Sequence, residues 1–313
     1  MQRHIAPLLV CPACLPKERP LELTAAAEAD GDITAGHLSC RGCRRRFPIR
    51  DGIAVLLADP DAGPSGGQWK YEEGGILAAY LWSHFADLTG DPEGGDAYAA
   101  WASSIAGSAD TALDAGCAVG RLTFELGQRS TLAVGFDLSL AFIRAARQLA
   151  RERRITFSLP REGNLRDEFR LALPDPWRTD GVEFVMADAL AIPFARETFA
   201  RTASLNLIDR VASPLAHLYE MNRVARPSGA SFLLSDPFSW STANTPEEKW
   251  LGGTETGPYP GRGMDNVRAL LGGKDGVIAP PWTITREGSV WWKIRSHRNH
   301  FELIRSEFLV AER

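Results

Sequence analysis

The sequence predicts an α/β fold in which a doubly wound, mostly parallel sheet follows a small metal-binding module. Three observations favour this class. Two Cys-x-x-Cys pairs lie near the start of the chain, strand and helix patterns alternate from residue 111 onward, and the turn Asp114-Ala-Gly-Cys-Ala-Val-Gly120 follows the first of these strands. Alternating strands and helices are typical of parallel sheets, whose ligand sites lie at the carboxyl ends of the strands.

The first module contains the two cysteine pairs, Cys11-Pro-Ala-Cys14 and Cys40-Arg-Gly-Cys43. Each pair can turn two thiolates toward one centre, and four sulfurs make the closed tetrahedral set that zinc prefers. The sequence therefore predicts a structural zinc without an open position for water or substrate. A ribbon that has lost its ion and a redox pair are the alternatives. The predicted ligands are Cys11, Cys14, Cys40 and Cys43.

A strand, an Asp-Gly turn and a second strand are predicted over residues 47–57, after the second cysteine pair. Together with the cysteines, this pattern resembles the zinc ribbon of the small activator proteins that partner tRNA, rRNA and protein methyltransferases. The resemblance covers residues 5–58, within a module predicted at 1–58. It implies a recruiting module or a structural cap on the main domain. We expect the basic run Arg44-Arg45-Arg46 to be a solvated turn rather than an RNA contact.

Residues 59–67 are rich in Pro, Gly and Ser and are predicted to be a linker to a main domain at 68–313. Helices are predicted at 76–88 and 97–105. Two long excursions exceed ordinary connections, and a C-terminal antiparallel hairpin is expected to close the sheet. The predicted strands are 111–114, 132–137, 182–187, 202–206 and 231–235, the hairpin strands are 289–295 and 301–310, and the excursions are 153–181 and 240–275.

The glycine turn departs from the dinucleotide motif Gly-x-Gly-x-x-Gly, because its aligned positions are Gly116, Ala118 and Arg121. Nicotinamide binding is therefore disfavoured. The run Asp114-x-Gly116-x-Ala118-x-Gly120 resembles the acid-x-Gly-x-Gly-x-Gly signature of class I S-adenosylmethionine methyltransferases. The two glycines would let the backbone pass close to the cofactor. Alanine in the middle position predicts that this residue does not need a positive φ.

The resemblance implies a seven-stranded Rossmann-like sheet with ligand contacts at the strand ends. Asp137 would accept the ribose hydroxyls, with a helix N-cap as the alternative. Asp188 would face the adenine amino group, and the next amide would bind the ring. Asn206 would face the methyl-transfer site. The residues predicted to bind S-adenosylmethionine, and S-adenosylhomocysteine as product, are Asp114, Gly116, Cys117, Ala118, Gly120, Asp137, Leu138, Asp188, Ala189 and Asn206.

Five longer segments narrow the resemblance: 113–126, 206–210, 236–240, 245–253 and 281–287. Together they resemble the methyltransferases of ovothiol biosynthesis, which N-methylate the imidazole of 4-mercaptohistidine. That family lacks the zinc ribbon and has Ser-Pro-Tyr-Thr-Trp where this chain has Ser-Asp-Pro-Phe-Ser-Trp. The resemblance implies N-methylation of a small nitrogen heterocycle or amino-acid-derived metabolite.

Methyl transfer from a sulfonium is an in-line displacement, and alignment of the reactants alone can lower such a barrier by ~7–11 kcal/mol. Asn206 and Asp209 are predicted to be catalytic, by orienting the acceptor or taking a proton. Arg286 could pair with a substrate carboxylate, and a bridge to a neighbouring acidic residue is the alternative. Plain helix packing is the alternative role for Tyr80. The predicted acceptor-binding residues are Tyr71, Tyr80, His84, Trp240, Trp250 and Arg286.

The net charge of −4 gives no overall attraction to nucleic acid. We expect a small-molecule methyl acceptor as partner, and homo-oligomerisation is compatible with the sequence. No signal peptide is predicted, and no window approaches the ~20 apolar residues that cross a bilayer, so a cytoplasmic protein without membrane contact is expected. Two alternatives stay open: an RNA methyltransferase recruited through the ribbon, whose binding would depend strongly on salt, and a partner-activated subunit.

Overall fold

The computed structural model describes residues 1–59, 71–72, 74–105 and 107–313. Apart from Asp59, the predicted linker at 59–67 lies outside the described residues. None of the helices in these ranges combines the length and the apolar composition needed to span a bilayer.

The first part of the chain forms an antiparallel four-stranded ribbon. Two of its hairpin turns are Asp-Gly pairs, Asp30-Gly31 and Asp51-Gly52, and all four residues have left-handed φ angles between 51° and 78°. Such pairs suit the two-residue hairpin loop, because its twist matches that of the strands. Short 3-10 helices at Arg3–Leu8 and Pro12–Cys14 precede the strands. The strands, each antiparallel to the next, are β1 (Leu21–Ala29), β2 (Asp32–Cys40), β3 (Arg46–Arg50) and β4 (Ile53–Leu56).

The second part of the chain alternates helices and strands. Its elements are α1 (Gly74–Thr89), α2 (Ala97–Ser104), β5 (Ala109–Ala115), α3 (Arg121–Gly127), β6 (Ser130–Asp137), α4 (Leu140–Glu152), β7 (Arg154–Glu162), β8 (Leu165–Ala172), β9 (Val182–Ala187), β10 (Arg201–Leu205), α5 (Pro214–Val224), β11 (Ser231–Asp236), α6 (Gly263–Leu271), β12 (Thr283–His297) and β13 (His300–Glu312).

Helix α4 shows how local sequence sets these boundaries. The Ser139 side chain accepts a hydrogen bond from the Phe142 N–H and caps the start of the helix, and Arg153 ends it with a left-handed φ of 60°. One face is apolar and packs against the sheet, as expected for a helix that covers a core. The buried apolar residues of α4 are Phe142, Ile143, Ala145, Ala146 and Leu149.

A single mixed sheet of eleven strands runs through the structure in the order β1-β2-β3-β4-β9-β6-β5-β10-β11-β13-β12. The prediction of a seven-stranded, mostly parallel sheet is wrong. The ribbon adds four strands at one edge, where Val55 and Leu56 of β4 pair in parallel with Met186 and Ala187 of β9. At the other edge, the C-terminal hairpin of β12 and β13 adds antiparallel pairings.

The first predicted excursion, 153–181, contains the hairpin of β7 and β8, which forms a separate two-stranded sheet. The hairpin packs against α1, α4 and β12. Arg295 of β12 connects these parts: its guanidinium binds Asp91 at 2.9 Å, pairs with Asp167 of β8, and lies 5.4 Å from the centre of the Phe169 ring. The hairpin is therefore fixed to the outer face of α1.

A buried ion cluster and a half-buried one connect the ribbon to the second part of the chain. Arg147 of α4 binds Asp32 of β2 at 2.6 Å and also pairs with Glu183 of β9, which is 1% exposed. Arg223 of α5 binds Glu18 at 2.9 Å and Glu220 at 2.7 Å. Removing one partner from a buried cluster leaves an uncompensated charge, so these contacts favour one docking position for the ribbon.

We predict that Arg147→Met lowers the free energy of unfolding by about 3 kcal/mol, because Glu183 would stay buried without a cationic partner. Urea denaturation measures this loss. Arg144→Met is the matched control on the same helix, since the exposed Arg144 is 3.9 Å from Asp51, and it should cost less than about 1 kcal/mol. Equal unfolding midpoints for the two variants would contradict the proposed docking contact.

Candidate functional site

The four cysteines of the ribbon converge on one point. The Sγ atoms of Cys11 and Cys43 are 3.6 Å apart, those of Cys14 and Cys40 are 3.8 Å apart, and all four lie within 4.8 Å of one another. A tetrahedral zinc with Zn–S bonds of about 2.3 Å requires sulfurs about 3.8 Å apart. None of the four forms a disulfide. They are therefore positioned to bind a zinc ion.

A second set of candidate residues lies where the parallel strands end. Ala115, the last residue of β5, pairs with Phe136 of β6 on one side and with Ser204 of β10 on the other. The glycine turn that starts at Gly116 therefore lies between the ends of these two strands. Its backbone is fixed to β6, because Cys117 N–H donates to the Phe136 carbonyl at 2.9 Å.

The middle of the glycine turn is left-handed. Gly116 and Gly120 have φ angles of 69° and 85°, and Ala118 has a φ of 46°. The prediction that Ala118 does not need a positive φ is wrong. Its N–H donates to the Asp137 carboxylate at 3.0 Å, and Gly120 N–H donates to the Cys117 carbonyl at 2.8 Å. Both hydrogen bonds require a curled backbone. The left-handed conformation costs a non-glycine residue about 1 kcal/mol of conformational free energy.

The two glycines are needed for different reasons. A Cβ atom on Gly120 would lie 2.6 Å from the Phe184 ring, so this glycine allows α3 to pack on the sheet. A Cβ atom on Gly116 would lie 2.8 Å from the Leu207 side chain, just beyond the end of β10. Gly116 therefore allows the Leu207 side chain to pack against the turn, and its left-handed φ also favours glycine.

The surroundings of Asp114 indicate a structural role. Its side chain is 2% exposed and accepts the Thr123 hydroxyl of α3 at 2.7 Å. Burial raises the pKa of this carboxyl to about 7, although the hydrogen bonds from Thr123 oppose the shift. Asp114 therefore joins the end of β5, where the glycine turn begins, to α3.

Asp137 is the last residue of β6 and Asp188 directly follows β9, and both carboxylates bind nearby backbone N–H groups. Asp137 accepts the Ser139 N–H at 2.9 Å, and burial raises its pKa to about 6 against the effect of its N–H donors. The N-cap of α4 is Ser139, so Asp137 does not fill that role. Asp188 accepts the Leu190 N–H at 2.9 Å, and the carbonyl of Ala189 accepts a hydrogen bond from His217.

Asn206 follows β10 in a left-handed conformation with a φ of 54°. Its N–H donates to the Ser235 carbonyl at 2.6 Å, and its side-chain oxygen accepts the Ser306 hydroxyl at 2.6 Å. The Ser306 oxygen in turn accepts the Trp292 indole N–H at 2.9 Å. Sequence reasoning missed Ser306 and Trp292. The sequence places them only in the predicted hairpin strands 301–310 and 289–295.

Asp209 is fully buried beside Asp236, a second carboxyl that sequence reasoning did not assign to the site. Asp209 accepts the Ser239 N–H at 2.9 Å, and Asp236 accepts the Phe238 N–H at 2.7 Å. Burial raises the pKa of both carboxyls, and the repulsion between them raises that of Asp236 further. The pair shapes the loop that follows β11. Arg210 is 3.1 Å from Asp209 and offsets part of the charge.

The predicted acceptor-binding residues of α1 lie in an aromatic cluster. The Tyr80 ring centre is 6.0 Å from that of Tyr71 and 4.8 Å from that of Phe142. Burial raises the pKa of Tyr80, with contributions from the nearby Tyr71 and Asp137. His84 is buried, and its Nε2 is 2.6 Å from the Tyr98 hydroxyl. Burial holds the pKa of His84 well below its usual value, so this imidazole is neutral.

Arg121, which directly follows the glycine turn, is buried and ion-paired. Its side chain is 2% exposed, binds both carboxylate oxygens of Asp87 at 2.6 and 3.0 Å, and donates to the His84 carbonyl at 3.1 Å. It also binds Glu125 at 2.8 Å. This residue fixes α1 over the glycine turn, a role that the sequence analysis did not assign.

The remaining predicted acceptor-binding residues, Trp240, Trp250 and Arg286, do not all lie together. Trp240 and Trp250 stack at 6.2 Å beyond the end of β11. Arg286 is exposed on β12 and pairs in register with Val310, which pairs with Leu233. Because Leu233 lies three residues before the end of β11, the structure does not bring Arg286 to the strand-end edge.

Both parts of the chain match known protein families. Residues 113–233 match the family described as methyltransferase domain, and residues 4–52 match the family described as Trm112p-like protein. The first match spans the glycine turn and the ends of β6, β9 and β10. The second contains all four ribbon cysteines. No curated protein matches the chain.

Several solved structures are similar to the chain at low identity. A chain of the complex between the Haloferax volcanii Trm112 methyltransferase activator and a proposed methyltransferase is 11% identical (80% of this chain, all of that one; TM-score 0.44). An S-adenosylmethionine-dependent methyltransferase from Methanosarcina mazei is 17% identical (67% and 95%; 0.45). Magnesium protoporphyrin IX methyltransferase from Synechocystis PCC 6803, with bound S-adenosylmethionine, is 15% identical (77% and 97%; 0.41).

These TM-scores are too low to add to the assignment, which rests on the methyltransferase-domain match and on the strand-end geometry. The chain contains a methyltransferase domain over residues 113–233 and a Trm112p-like ribbon with four cysteines in a zinc-binding arrangement.

We predict that the purified protein contains about one zinc ion per chain, because the four thiolates complete a tetrahedral site. Elemental analysis measures the metal content. Cys40→Ser should lower the zinc content and the melting temperature, whereas Cys117→Ser, outside the ribbon, should keep the zinc. Full zinc content in Cys40→Ser would show that the metal is bound elsewhere.

Proposed function

We propose that this methyltransferase methylates a ring or amine nitrogen of a small metabolite. The position of Asn206 carries the proposal. The pairing of β5 with β10 places this residue beside the glycine turn, and the Ser306 hydroxyl fixes its side chain. The resemblance of five segments to the 4-mercaptohistidine N-methyltransferases supports a nitrogen heterocycle as acceptor.

The cofactor is proposed to lie along the strand ends, where S-adenosylmethionine would supply an electrophilic methyl group. The left-handed turn of Gly116, Ala118 and Gly120 between the ends of β6 and β10 supports this position. Asp137 offers a half-buried carboxylate for the ribose hydroxyls. Cys117, Ala118 and Leu138 would contribute backbone contacts, and Asp188 and Ala189 would bind the adenine.

The chain itself would orient the acceptor and exclude water. With its oxygen occupied by Ser306, the Asn206 side chain has its NH₂ group available to donate to the acceptor. A neutral imidazole-type nitrogen attacks without losing a proton first, so no strong base is required. This agrees with the burial of Asp209, which favours its protonated form. Tyr71 and Tyr80 would cover the site and exclude water.

We further propose that the ribbon supports the methyltransferase part within the same chain. Its strand β4 covers the edge of β9, the strand that leads to Asp188, and the Arg147 and Arg223 clusters hold the ribbon there. The resemblance to methyltransferase activators supports this role. A separate activator would find this sheet edge already occupied.

The test is to incubate the protein with methyl-labelled S-adenosylmethionine and either a small-molecule extract or total RNA. We expect label in the small-molecule fraction. Asn206→Ala should reduce the rate about 100-fold, since misplacement of a reactant by about 1 Å can cost that much, while S-adenosylhomocysteine affinity stays within a few-fold. Asn299→Ala, in the exposed turn of the C-terminal hairpin, is the control. Label only in RNA would overturn the proposal.

We also predict that S-adenosylhomocysteine binds more weakly in acid. Ribose hydroxyls donate to a charged Asp137 carboxylate, so binding lowers its pKa from about 6. Affinity is then constant above about pH 7 and falls up to tenfold per pH unit below about pH 6. Calorimetry at several pH values measures this.

The matched variant is Asp137→Asn, which should bind weakly with little pH dependence. Asp114, whose pKa is raised to about 7, is the other carboxyl near the turn that titrates in this range. An unchanged pH dependence in Asp137→Asn would contradict the ribose assignment and point to Asp114.

A further inference from the structure

A cavity of about 380 Å³ opens beside the end of β11, on the face of the sheet that α6 covers. This volume is in the range of small-molecule sites, about 300–1,000 Å³. Three segments line it: the loop after β11, the start of α6 with the glycines before it, and β13. The lining residues are Pro237, Phe238, Trp240, Gly253, Gly261, Arg262, Gly263, Met264, Arg305 and Glu307.

The aromatic wall of this cavity is held by close backbone contacts. A Cβ on Gly263 would lie 2.4 Å from the Phe238 ring, and a Cβ on Gly253 would lie 2.9 Å from the Trp240 indole. Phe238 has a left-handed φ of 52°, a conformation that bulky residues adopt only when their surroundings impose it. The Asp236 carboxylate imposes it here by accepting the Phe238 N–H.

Two polar groups of the lining are incompletely paired among the described residues. The buried Trp240 indole N–H has no hydrogen-bond acceptor. Arg305 is exposed and donates to the Ser289 hydroxyl, but none of the ion pairs within the described ranges includes it. The other two charges of the lining neutralise each other, since Arg262 binds Glu307 at 2.6 Å. The cavity therefore offers two aromatic rings inclined at 51° to each other, one indole N–H without an acceptor and one cation outside the ion pairs of the described ranges.

The cavity adjoins the proposed methyl-transfer site. Its wall residue Phe238 is held by Asp236, and the next residue, Ser239, donates to Asp209. Asn206 N–H donates to the Ser235 carbonyl, immediately before Asp236. A molecule bound against Trp240 would therefore extend toward the end of β10.

We propose that this cavity binds the methyl acceptor, and that the acceptor is a planar, ring-containing molecule with a carboxylate. Arg305 pairs with the carboxylate, the Trp240 N–H donates to an oxygen or ring nitrogen, and Phe238 and Trp240 contact the ring. The inference rests on the proposed function, because it assigns the acceptor class of the same site. It replaces Arg286 with Arg305 as the carboxylate partner.

The test uses fluorine NMR with 5-fluoroindole-3-acetate as probe and its neutral amide, 5-fluoroindole-3-acetamide, as reference. The acid should bind the native chain, and Arg305→Gln should weaken its binding about tenfold, the usual size of a charge-assisted contact. Amide binding should stay the same. Trp240→Phe, which keeps a ring but removes the N–H, should weaken both probes. Arg41→Gln, an exposed arginine of the ribbon, is the matched control.

Failure of acid binding to the native chain, or equal affinity in Arg305→Gln and Arg41→Gln, would overturn the inference. Calorimetry with S-adenosylhomocysteine on the same samples separates the two proposals. If that nucleoside binds and the acid does not, the cavity assignment fails alone. If the acid binds as expected and the nucleoside does not, the proposed function fails and the anion-binding cavity stands.

Discussion

The central strand pairing of β5 with β6 and β10 is the constraint on which the site depends. It aligns Ala115 with Phe136 and Ser204, so the three chain segments that follow these strands leave the sheet at one edge. A shift of one residue in this register would turn every side chain of the strand to the opposite face. Leu113 and Ala115 pack in one core and Ala112 in another, so a shifted register would require both cores to repack.

Arginines with little exposed surface extend this arrangement outward from the central strands. Arg121 joins α1 to the glycine turn, Arg295 joins the β7–β8 hairpin to β12, and Arg147 joins the ribbon to β9. Each is 7% exposed or less. A buried guanidinium accepts partners only in a fixed planar geometry. The three residues therefore set how the outer elements sit on the sheet, in addition to contributing stability.

Much of this organisation could be predicted from local sequence. Three features are patterns whose chemistry depends on residues close together in the sequence. They are the glycine turn, the acids at the strand ends and the cysteine pairs. The joining of the ribbon to β9 could not be predicted, because parallel pairing of β4 depends on residues more than 120 positions apart. Ser306 and Trp292 were missed for the same reason, since they act on Asn206 from a distant hairpin.

Ala118 illustrates a different limit on prediction from sequence. Its residue type indicates an ordinary φ, but hydrogen bonds to Asp137 and around Cys117 impose the left-handed conformation. Tertiary contacts outweighed the local preference at this position, as they do at Phe238, whereas Asn206 is a residue type that adopts the left-handed region more readily. All three residues lie at the strand-end edge, which is where strained backbone is expected to accompany function.

Photocrosslinking with methyl-labelled S-adenosylmethionine, followed by tryptic mapping, locates the cofactor relative to the strand ends. We expect label in the peptides 71–121, 130–144 or 179–196, which contain the glycine turn, Asp137 and Asp188, and loss of that label when unlabelled S-adenosylhomocysteine competes. Label confined to ribbon peptides, or label that the competitor does not displace, would contradict this position of the cofactor.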